Sequence, residues 1–172
     1  MTGLSYLRGL ILGLAALAAP TLAEAAPVAA TRNASAKVVI GPGVQVRKLR
    51  DLNFGWLTVT GAGTAIIDPE TDVMTTTGGI LKVGGLSYAA QFEAVSPVKS
   101  VVHVRAPRNS ITVTRVGGTE TMIVSNFTVS GGGNRNVVAK EAFEFKIGGT
   151  LAVKANQAEG LYLGTFDVEI QY

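Results

Sequence analysis

The chain has 172 residues, no cysteine and a formal net charge of +3. This length suffices for one domain with a real core and is too short for two ordinary domains. Without cysteine there is no disulfide framework, and the basic residues are scattered rather than gathered in a stripe with interleaved aromatic rings, which argues against a nucleic-acid-binding face.

The first 25 residues are predicted to form a signal peptide. Arg8 precedes an apolar run over residues 9–19, and Ala23 and Ala25 are small residues at the two positions that a signal peptidase reads. The run is short and is soon interrupted by Pro20, so we expect no stable membrane span after cleavage. An uncleaved membrane anchor is the alternative.

Residues 26–40 are predicted to be an extended N-terminal arm that leads into a folded domain at residues 41–172. The composition of the arm favours a flexible leader over residues 26–33 and a strand over residues 37–40. An extended arm places four apolar side chains on one face: Ala34, Ala36, Val38 and Ile40.

Within the domain, apolar and polar residues alternate with the period of a β-strand, and helical spacing is never sustained. This pattern predicts half-buried strands of an antiparallel system. The predicted inward-facing sets are Leu86, Tyr88, Ala90, Phe92 and Ala94; Ile123, Phe127 and Val129; Phe143, Phe145 and Ile147; and Leu151 and Val153.

Glycine pairs and prolines recur at short intervals between these runs and are predicted to be turns. They include residues 61–63, 68–70 and 78–79. The clearest hairpin is "FEFKIGGTLAV", in which Gly148 and Gly149 separate two alternating runs. Short strands with frequent turns predict a sandwich or a barrel.

The stretch "GLYLGTFDVEIQY" at residues 160–172 keeps a clean alternation to its last residue and is predicted to be a core strand. Gly164 interrupts the apolar row, where a bulge or a close backbone approach is expected. The residues that define this strand are Gly160, Tyr162, Phe166, Val168, Ile170 and Tyr172.

Few side chains suit catalysis, and we expect no enzymatic activity, cofactor or metal. The one histidine, His103, lies on a predicted strand and has no orienting carboxylate beside it in sequence. Asp68, Glu70 and Asp72 alternate as calcium ligands can, but they lack the glycine and the terminal glutamate of a calcium loop. The basic run at residues 47–50 is predicted to be a solvated strand or loop whose charges discourage edge pairing.

Most of the chain from about Val38 to Tyr172 resembles a bacterial exported family known as domain of unknown function 4402. The resemblance implies a β-sandwich exported by Gram-negative bacteria, with no established enzymatic activity. It rests on "LNFG" at residues 52–55, "GTAIIDP" at 63–69, "AAQFEAV" at 89–95 and the long ending from Ile147.

The ending also resembles that of chaperone-usher pilus subunits, which commonly finish in an alternating strand with an upstream glycine and a terminal tyrosine. Gly160 and Tyr172 occupy comparable positions. In such subunits an immunoglobulin-like sandwich lacks one strand, and an arm from a neighbour or a chaperone pairs with the exposed edge. By analogy, the C-terminal strand would border the gap and residues 26–40 would be the donor arm.

Two functions are therefore expected as alternatives. The first is an exported structural protein, a surface fibre or pilus-like subunit that exchanges strands with itself or related subunits and is held by a periplasmic chaperone. The second is a self-contained binding or adhesion sandwich. Both place the mature protein in the periplasm or on the outer cell surface. An enzyme is the least favoured class because the catalytic motifs are missing.

Overall fold

The computed structural model of the protein describes residues 43–171. The predicted signal peptide, the predicted arm with Ala34, Ala36, Val38 and Ile40, and the last residue, Tyr172, lie outside the described residues. Residues 43–171 contain strands and loops and no helix, as the period-two alternation predicts.

Eleven strands lie within residues 43–171. They are β1 (Gln45–Arg50), β2 (Trp56–Ile67), β3 (Met74–Gly84), β4 (Ala90–Val95), β5 (Ser100–Arg105), β6 (Ile111–Arg115), β7 (Thr121–Val129), β8 (Asn134–Val137), β9 (Ala142–Val153), β10 (Tyr162–Leu163) and β11 (Glu169–Gln171).

The strands form a broad sheet and a narrow sheet, and every strand pair is antiparallel. The broad sheet has the order β1-β4-β9-β7-β6-β10, and the β2–β3 pair joins it through β9. The narrow sheet has the order β11-β5-β8. Val104 of the narrow sheet packs in one buried cluster with Phe92 and Phe145 of the broad sheet. The predicted all-β antiparallel sandwich is confirmed.

The core consists of two apolar clusters. The predicted alternation supplies the first except for Val104, but only Leu151 and Val153 of the second. The prediction that Leu86 faces inward is wrong, since Leu86 lies before the start of β4 and is 77% exposed. Leu52 and Phe127 are half-buried and touch both clusters. The first cluster contains Ala90, Phe92, Ala94, Val104, Phe145 and Ile147; the second contains Ala65, Ile80, Val124, Leu151 and Val153.

β9 is one continuous strand, so the predicted hairpin at Gly148 and Gly149 is wrong. Along one edge, residues 142–147 of β9 pair with β4 and residues 149–153 pair with β2. A side chain at Gly148 would collide with the Ile67 carbonyl and the Pro69 ring. Glycine is needed here because β9 changes partners at this point and β2 passes close to its backbone.

β7 contains a bulge, so the prediction that Ile123 faces inward is wrong. Ile123 is 40% exposed, whereas Val124 is 2% exposed. Asn126 has a φ of 48°, and the register with β9 shifts between Ser125 and Thr128. One extra residue reverses the phase of the strand, which returns Phe127 to the core as predicted.

The stretch at residues 160–171 forms two short strands in different sheets rather than one continuous strand. β10 pairs with β6 of the broad sheet, and β11 pairs with β5 of the narrow sheet. Gly160, with a φ of 145°, precedes β10. The predicted alternation persists, because Tyr162, Phe166, Val168 and Ile170 are half-buried and the residues between them from Asp167 onward are exposed.

Gly164 lies where this stretch leaves β10 to cross between the sheets. A Cβ at Gly164 would lie 2.8 Å from the Thr112 carbonyl oxygen of β6. The predicted close backbone approach at this glycine is therefore confirmed.

Candidate functional site

β2 and β3 form a long hairpin whose turn is fixed by its own polar groups. The Asp68 N–H donates a 3.1 Å hydrogen bond to the Val73 carbonyl, and the Asp68 carboxylate accepts a 2.7 Å hydrogen bond from the Glu70 N–H. Aspartate commonly caps its own turn in this way. The turn predicted at residues 68–70 is confirmed.

The Asp72 carboxylate ties this turn to three other parts of the chain. It accepts hydrogen bonds from Arg50 Nη2 at 2.8 Å, from Lys146 Nζ at 2.5 Å and from the Ala89 N–H at 3.0 Å. The Arg50 guanidinium also lies over the Tyr88 ring, 4.9 Å from its centroid. One carboxylate thereby anchors the hairpin turn to β1, to β9 and to the segment before β4.

The surroundings of Asp72 favour its charged form. Burial raises the pKa of this carboxyl, but the hydrogen bonds from Lys146, Arg50 and the Ala89 N–H outweigh burial and hold the pKa below its ordinary value of 3.8. Asp72 is therefore a structural anion, and the Arg50–Asp72–Lys146 cluster is a clamp.

The carboxylates of Asp68, Glu70 and Asp72 do not converge on a common point. Asp68 caps the turn, the Glu70 carboxylate accepts the Gly131 N–H, and Asp72 receives the two cations. No group of three or more His, Cys, Asp or Glu side chains that could hold a metal ion occurs within residues 43–171.

The basic run at residues 47–50 forms most of β1, as predicted for a strand. Its charges divide into two kinds. Arg47 and Lys48 make exposed ion pairs with Glu93 and Asp51, at 3.0 and 2.5 Å. Arg50 is instead partly buried in the Asp72 clamp, a role that the solvated-strand prediction missed.

The glycines at residues 61–63 and 78–79 lie inside β2 and β3, so the turns predicted there are wrong. The two runs face each other across the hairpin, with Gly63 paired to Gly78. A side chain at Gly63 would collide with the Thr77 carbonyl, and one at Gly79 would collide with the Gly61 backbone. These glycines permit the backbones of β2 and β3 to come close together within the hairpin.

The outer side of β3, which we call the β3 edge, carries no strand partner within residues 43–171. It spans the 11 residues Met74–Gly84, and Lys82 is its single charged residue. Natural edge strands are usually shortened or protected by charge, and this one has little of either protection.

The other edges in the described part of the chain are less suited to accept a strand. β8, β10 and β11 have four, two and three residues. β1 has six residues, and three of them are cationic. The C-terminal stretch, which by analogy would border a gap, offers no long edge because it is divided between two sheets.

Backbone alternation identifies which groups of β3 point away from β2. The Asp68 N–H bonds to the Val73 carbonyl, and the pairs Ile67–Met74, Ile66–Thr75 and Ala65–Thr76 follow in register. Antiparallel pairs alternate between bonded and non-bonded, so the amides of Met74 and Thr76 point outward. These donors and carbonyls have no strand partner in the described part of the chain, and they are the groups that an added strand would bind.

Two cavities flank the crossing segment at residues 164–168. The larger, of about 490 Å³, lies between this segment and the loop after β5, and it is lined by Arg105, Arg108, Asp167 and Glu169 among others. The smaller, of about 120 Å³, lies on the side of Phe92. Phe166 lines both cavities, and its ring packs against that of Phe127, with centroids 5.3 Å apart.

His103 lies exposed on β5, as expected for a strand residue on the solvent side. Its Nδ1 is 2.6 Å from the Asn134 Oδ1 on β8. No helix in the described part of the chain is long and apolar enough to cross a membrane.

The β3 edge and the Asp72 clamp are the features that sequence reasoning missed. A signal for the edge was present, since residues 73–81 contain no charged side chain. No local signal marks the clamp, because its members come from positions 50, 72 and 146 and meet only through the fold.

Comparison with known proteins identifies one family. A family model described as "Domain of unknown function (DUF4402)" matches residues 44–172. No curated protein and no solved structure gives a significant match.

Proposed function

The chain belongs to this family of domains of unknown function, and we propose that it is an exported structural protein, a subunit of a surface fibre that assembles by strand exchange. The observation that carries the proposal is the long, nearly uncharged β3 edge. In this proposal the subunit acts in the periplasm or on the outer surface of a Gram-negative cell.

Strand addition suits this edge for two reasons. Its outward amides and carbonyls would gain partners along 11 residues, and main-chain hydrogen bonds supply the affinity in this mode of recognition. The edge also lacks the row of charges that would repel an incoming strand.

In the proposal, the added strand comes from the arm of a neighbouring copy. Residues 34–40 place Ala34, Ala36, Val38 and Ile40 on one face of an extended strand, which suits packing of that apolar face against a sheet; the other face would carry Ser35, Lys37 and Val39. A periplasmic chaperone would cover the edge before assembly, because an open edge of this length invites aggregation.

Light scattering on paired variants of the mature chain, residues 26–172, tests this function. Thr75→Lys adds a charge on the exposed face of β3, and we expect it to shift assemblies to monomer. Thr112→Lys is the matched control, because Thr112 is also an exposed strand threonine, but Gly164 covers its edge. Deletion of residues 26–40 should leave a folded monomer. A wild-type chain that stays monomeric at all concentrations would contradict the proposal.

The cavity of about 490 Å³ favours a second candidate, a self-contained binding or adhesion module. Its walls carry Arg105 and Arg108 on one side and Asp167 and Glu169 on the other, and none of these four side chains forms an ion pair within residues 43–171. This candidate predicts monomeric protein with an unfolding transition that is independent of concentration, and a ligand whose affinity falls in Arg108→Ala.

A further inference from the structure

The cavity of about 490 Å³ lies where two segments cross side by side between the sheets. Residues 106–110 lead from β5 of the narrow sheet to β6 of the broad sheet, and residues 164–168 lead from β10 of the broad sheet to β11 of the narrow sheet. β6 pairs with β10 at one end of the two crossings, and β5 pairs with β11 at the other. The cavity walls are therefore two loops that strand pairs hold at both ends, the kind of position at which binding sites are common.

The inner wall of this cavity is apolar. Ala106, Ile111 and Phe166 line the cavity and are half-buried. Ala106 and Phe166 pack against the first core cluster, and Ile111 packs against the second. Because the core fixes these three side chains, the inner wall is a preformed apolar surface that includes an aromatic residue.

The rim of the cavity carries both hydrogen-bond donors and acceptors. Its charged members are Arg105, Arg108, Asp167 and Glu169, all of them exposed. A guanidinium group only donates hydrogen bonds, and an ionised carboxylate only accepts them. Since none of the four forms an ion pair within residues 43–171, their polar atoms are placed to bind a ligand.

The charges of the rim balance, and opposite charges adjoin. Arg105 lies directly opposite Glu169 in the register of β5 and β11, so the two side chains project from the same face of the narrow sheet. An anionic ligand would be attracted by the arginines and repelled by the neighbouring carboxylates, and a cationic ligand would meet the reverse. The rim therefore favours a neutral ligand that donates and accepts hydrogen bonds at neighbouring positions.

We propose that this cavity binds a neutral saccharide. A pyranose ring presents carbon-bound hydrogens on its faces, which suit the apolar inner wall, and hydroxyl groups around its edge. Each hydroxyl both donates and accepts, so it can bind a carboxylate and a guanidinium group together. The cavity volume lies within the range of about 300–1,000 Å³ that is usual for small-molecule sites.

This inference names the ligand class of the binding-module candidate and rests on that candidate. It does not rest on strand addition, because the cavity is formed by residues 105–111 and 165–169 whereas the proposed assembly uses the β3 edge. A subunit of a fibre can carry the saccharide site as well.

Saturation-transfer NMR of the mature chain with maltose, cellobiose and lactose tests the proposal. The method observes the sugar, so it works for monomers and assemblies alike. We expect at least one of these neutral disaccharides to bind with a Kd of about 1 mM. Arg108→Ala and Asp167→Asn should each weaken binding about tenfold, because the first removes a donor and the second weakens an acceptor. Binding should stay the same between about 20 mM and about 500 mM salt, since a neutral ligand is not screened.

Arg47→Ala is the matched control, because Arg47 is also an exposed arginine but does not line the cavity. It should leave sugar binding unchanged. Failure of all three disaccharides to bind would overturn the proposal. An affinity that falls in Arg108→Ala, rises in Asp167→Asn and weakens with salt would overturn it as well. That second result would show an anion site, so the binding-module candidate would survive while the saccharide would be excluded. Neither result changes the light-scattering test of fibre assembly.

Discussion

Arg50 Nη2 lies 2.8 Å from both carboxylate oxygens of Asp72, which is 22 residues further along the chain. Lys146 approaches the same carboxylate from β9, so two cations share one anion. Asp72 adopts a φ of 59°, a left-handed conformation that aspartate tolerates better than most residues. The clamp therefore fixes the start of β3, whose edge carries the proposed assembly.

Asp72→Asn should destabilise the fold. Asparagine keeps an oxygen for the Ala89 N–H but leaves Arg50 and Lys146 close together without their counter-charge. Because the group is only about one quarter exposed, we expect a loss of about 1–3 kcal/mol in the free energy of unfolding. Urea denaturation measures this loss. Asp51→Asn is the control, since its pair with Lys48 is exposed and should contribute less than about 0.5 kcal/mol. If Asp72→Asn and Asp51→Asn lost equal amounts of stability, the clamp would contribute no more to the fold than an exposed ion pair.

The Asp72 carboxylate should also make the stability of the fold depend on pH. The pKa of Asp72 in the folded protein lies below its ordinary value of 3.8, so the folded state favours the charged form relative to the unfolded state. The stability that the charged Asp72 contributes is therefore fully present above the ordinary pKa of 3.8 and is lost as the pH falls through the lowered pKa of the folded protein. Unfolding of wild type and Asp72→Asn, followed from about pH 7 to about pH 2, should show a stability difference that shrinks in the acid limb. A difference that stays constant over this range would refute the assignment.

Gly63→Ala should disturb the β2–β3 hairpin at the point where the two backbones come close together. The new methyl group would meet the Thr77 carbonyl, so the strands must separate, and we expect a cost of about 1–3 kcal/mol. Gly61→Ala is a matched change two residues away, where the methyl group would sit 3.6 Å from Gly79 in ordinary contact, and the cost should stay within about 0.5 kcal/mol. Thermal unfolding of the two variants decides whether close backbone approach explains these glycines.

Phe166→Ala should weaken the packing between the broad sheet and the narrow sheet. The ring is half-buried, packs against Phe92 and Phe127, and lines two cavities, so we expect a loss of about 2 kcal/mol in the free energy of unfolding. Leu161→Ala, at an exposed site, should have almost no effect.

A chain that ends at Leu163 removes Phe166, Val168 and Ile170 from the first cluster together, and we expect it not to fold cooperatively. Circular dichroism during urea titration tests this. A soluble truncated protein with a single sharp transition would show that the crossing segment is dispensable.

Much of the fold could be predicted from the sequence, because burial follows the strand period wherever a strand is regular. The inward faces of β4 and β9, with Phe92, Phe145 and Leu151, are the clearest cases. The alternation from Tyr162 to Ile170 also survives, although the residues belong to two sheets.

The errors share a physical cause, since glycine serves both turns and close backbone approaches. Nothing local distinguishes Gly148, which lies under β2, from a glycine in a hairpin loop. A two-residue alternation cannot predict the bulge at Asn126 either, and because of this bulge Ile123 lies on the surface. The absence of charge over residues 73–81 distinguishes β3 in the sequence, but it does not show that β3 lies at an edge, because the free side of a strand depends on the order of all strands.

Residue-resolved amide hydrogen exchange tests the proposed assembly most directly. The amides of Met74 and Thr76 point away from β2 and face no other strand within residues 43–171, so we expect them to exchange quickly in the monomer. If a neighbour adds a strand to β3, their exchange should slow at least about tenfold in assembled protein, while β1, β8 and β11 remain unchanged. Equally fast exchange of Met74 and Thr76 in monomer and assembly, or protection that appears along β1 instead, would contradict strand addition at the β3 edge.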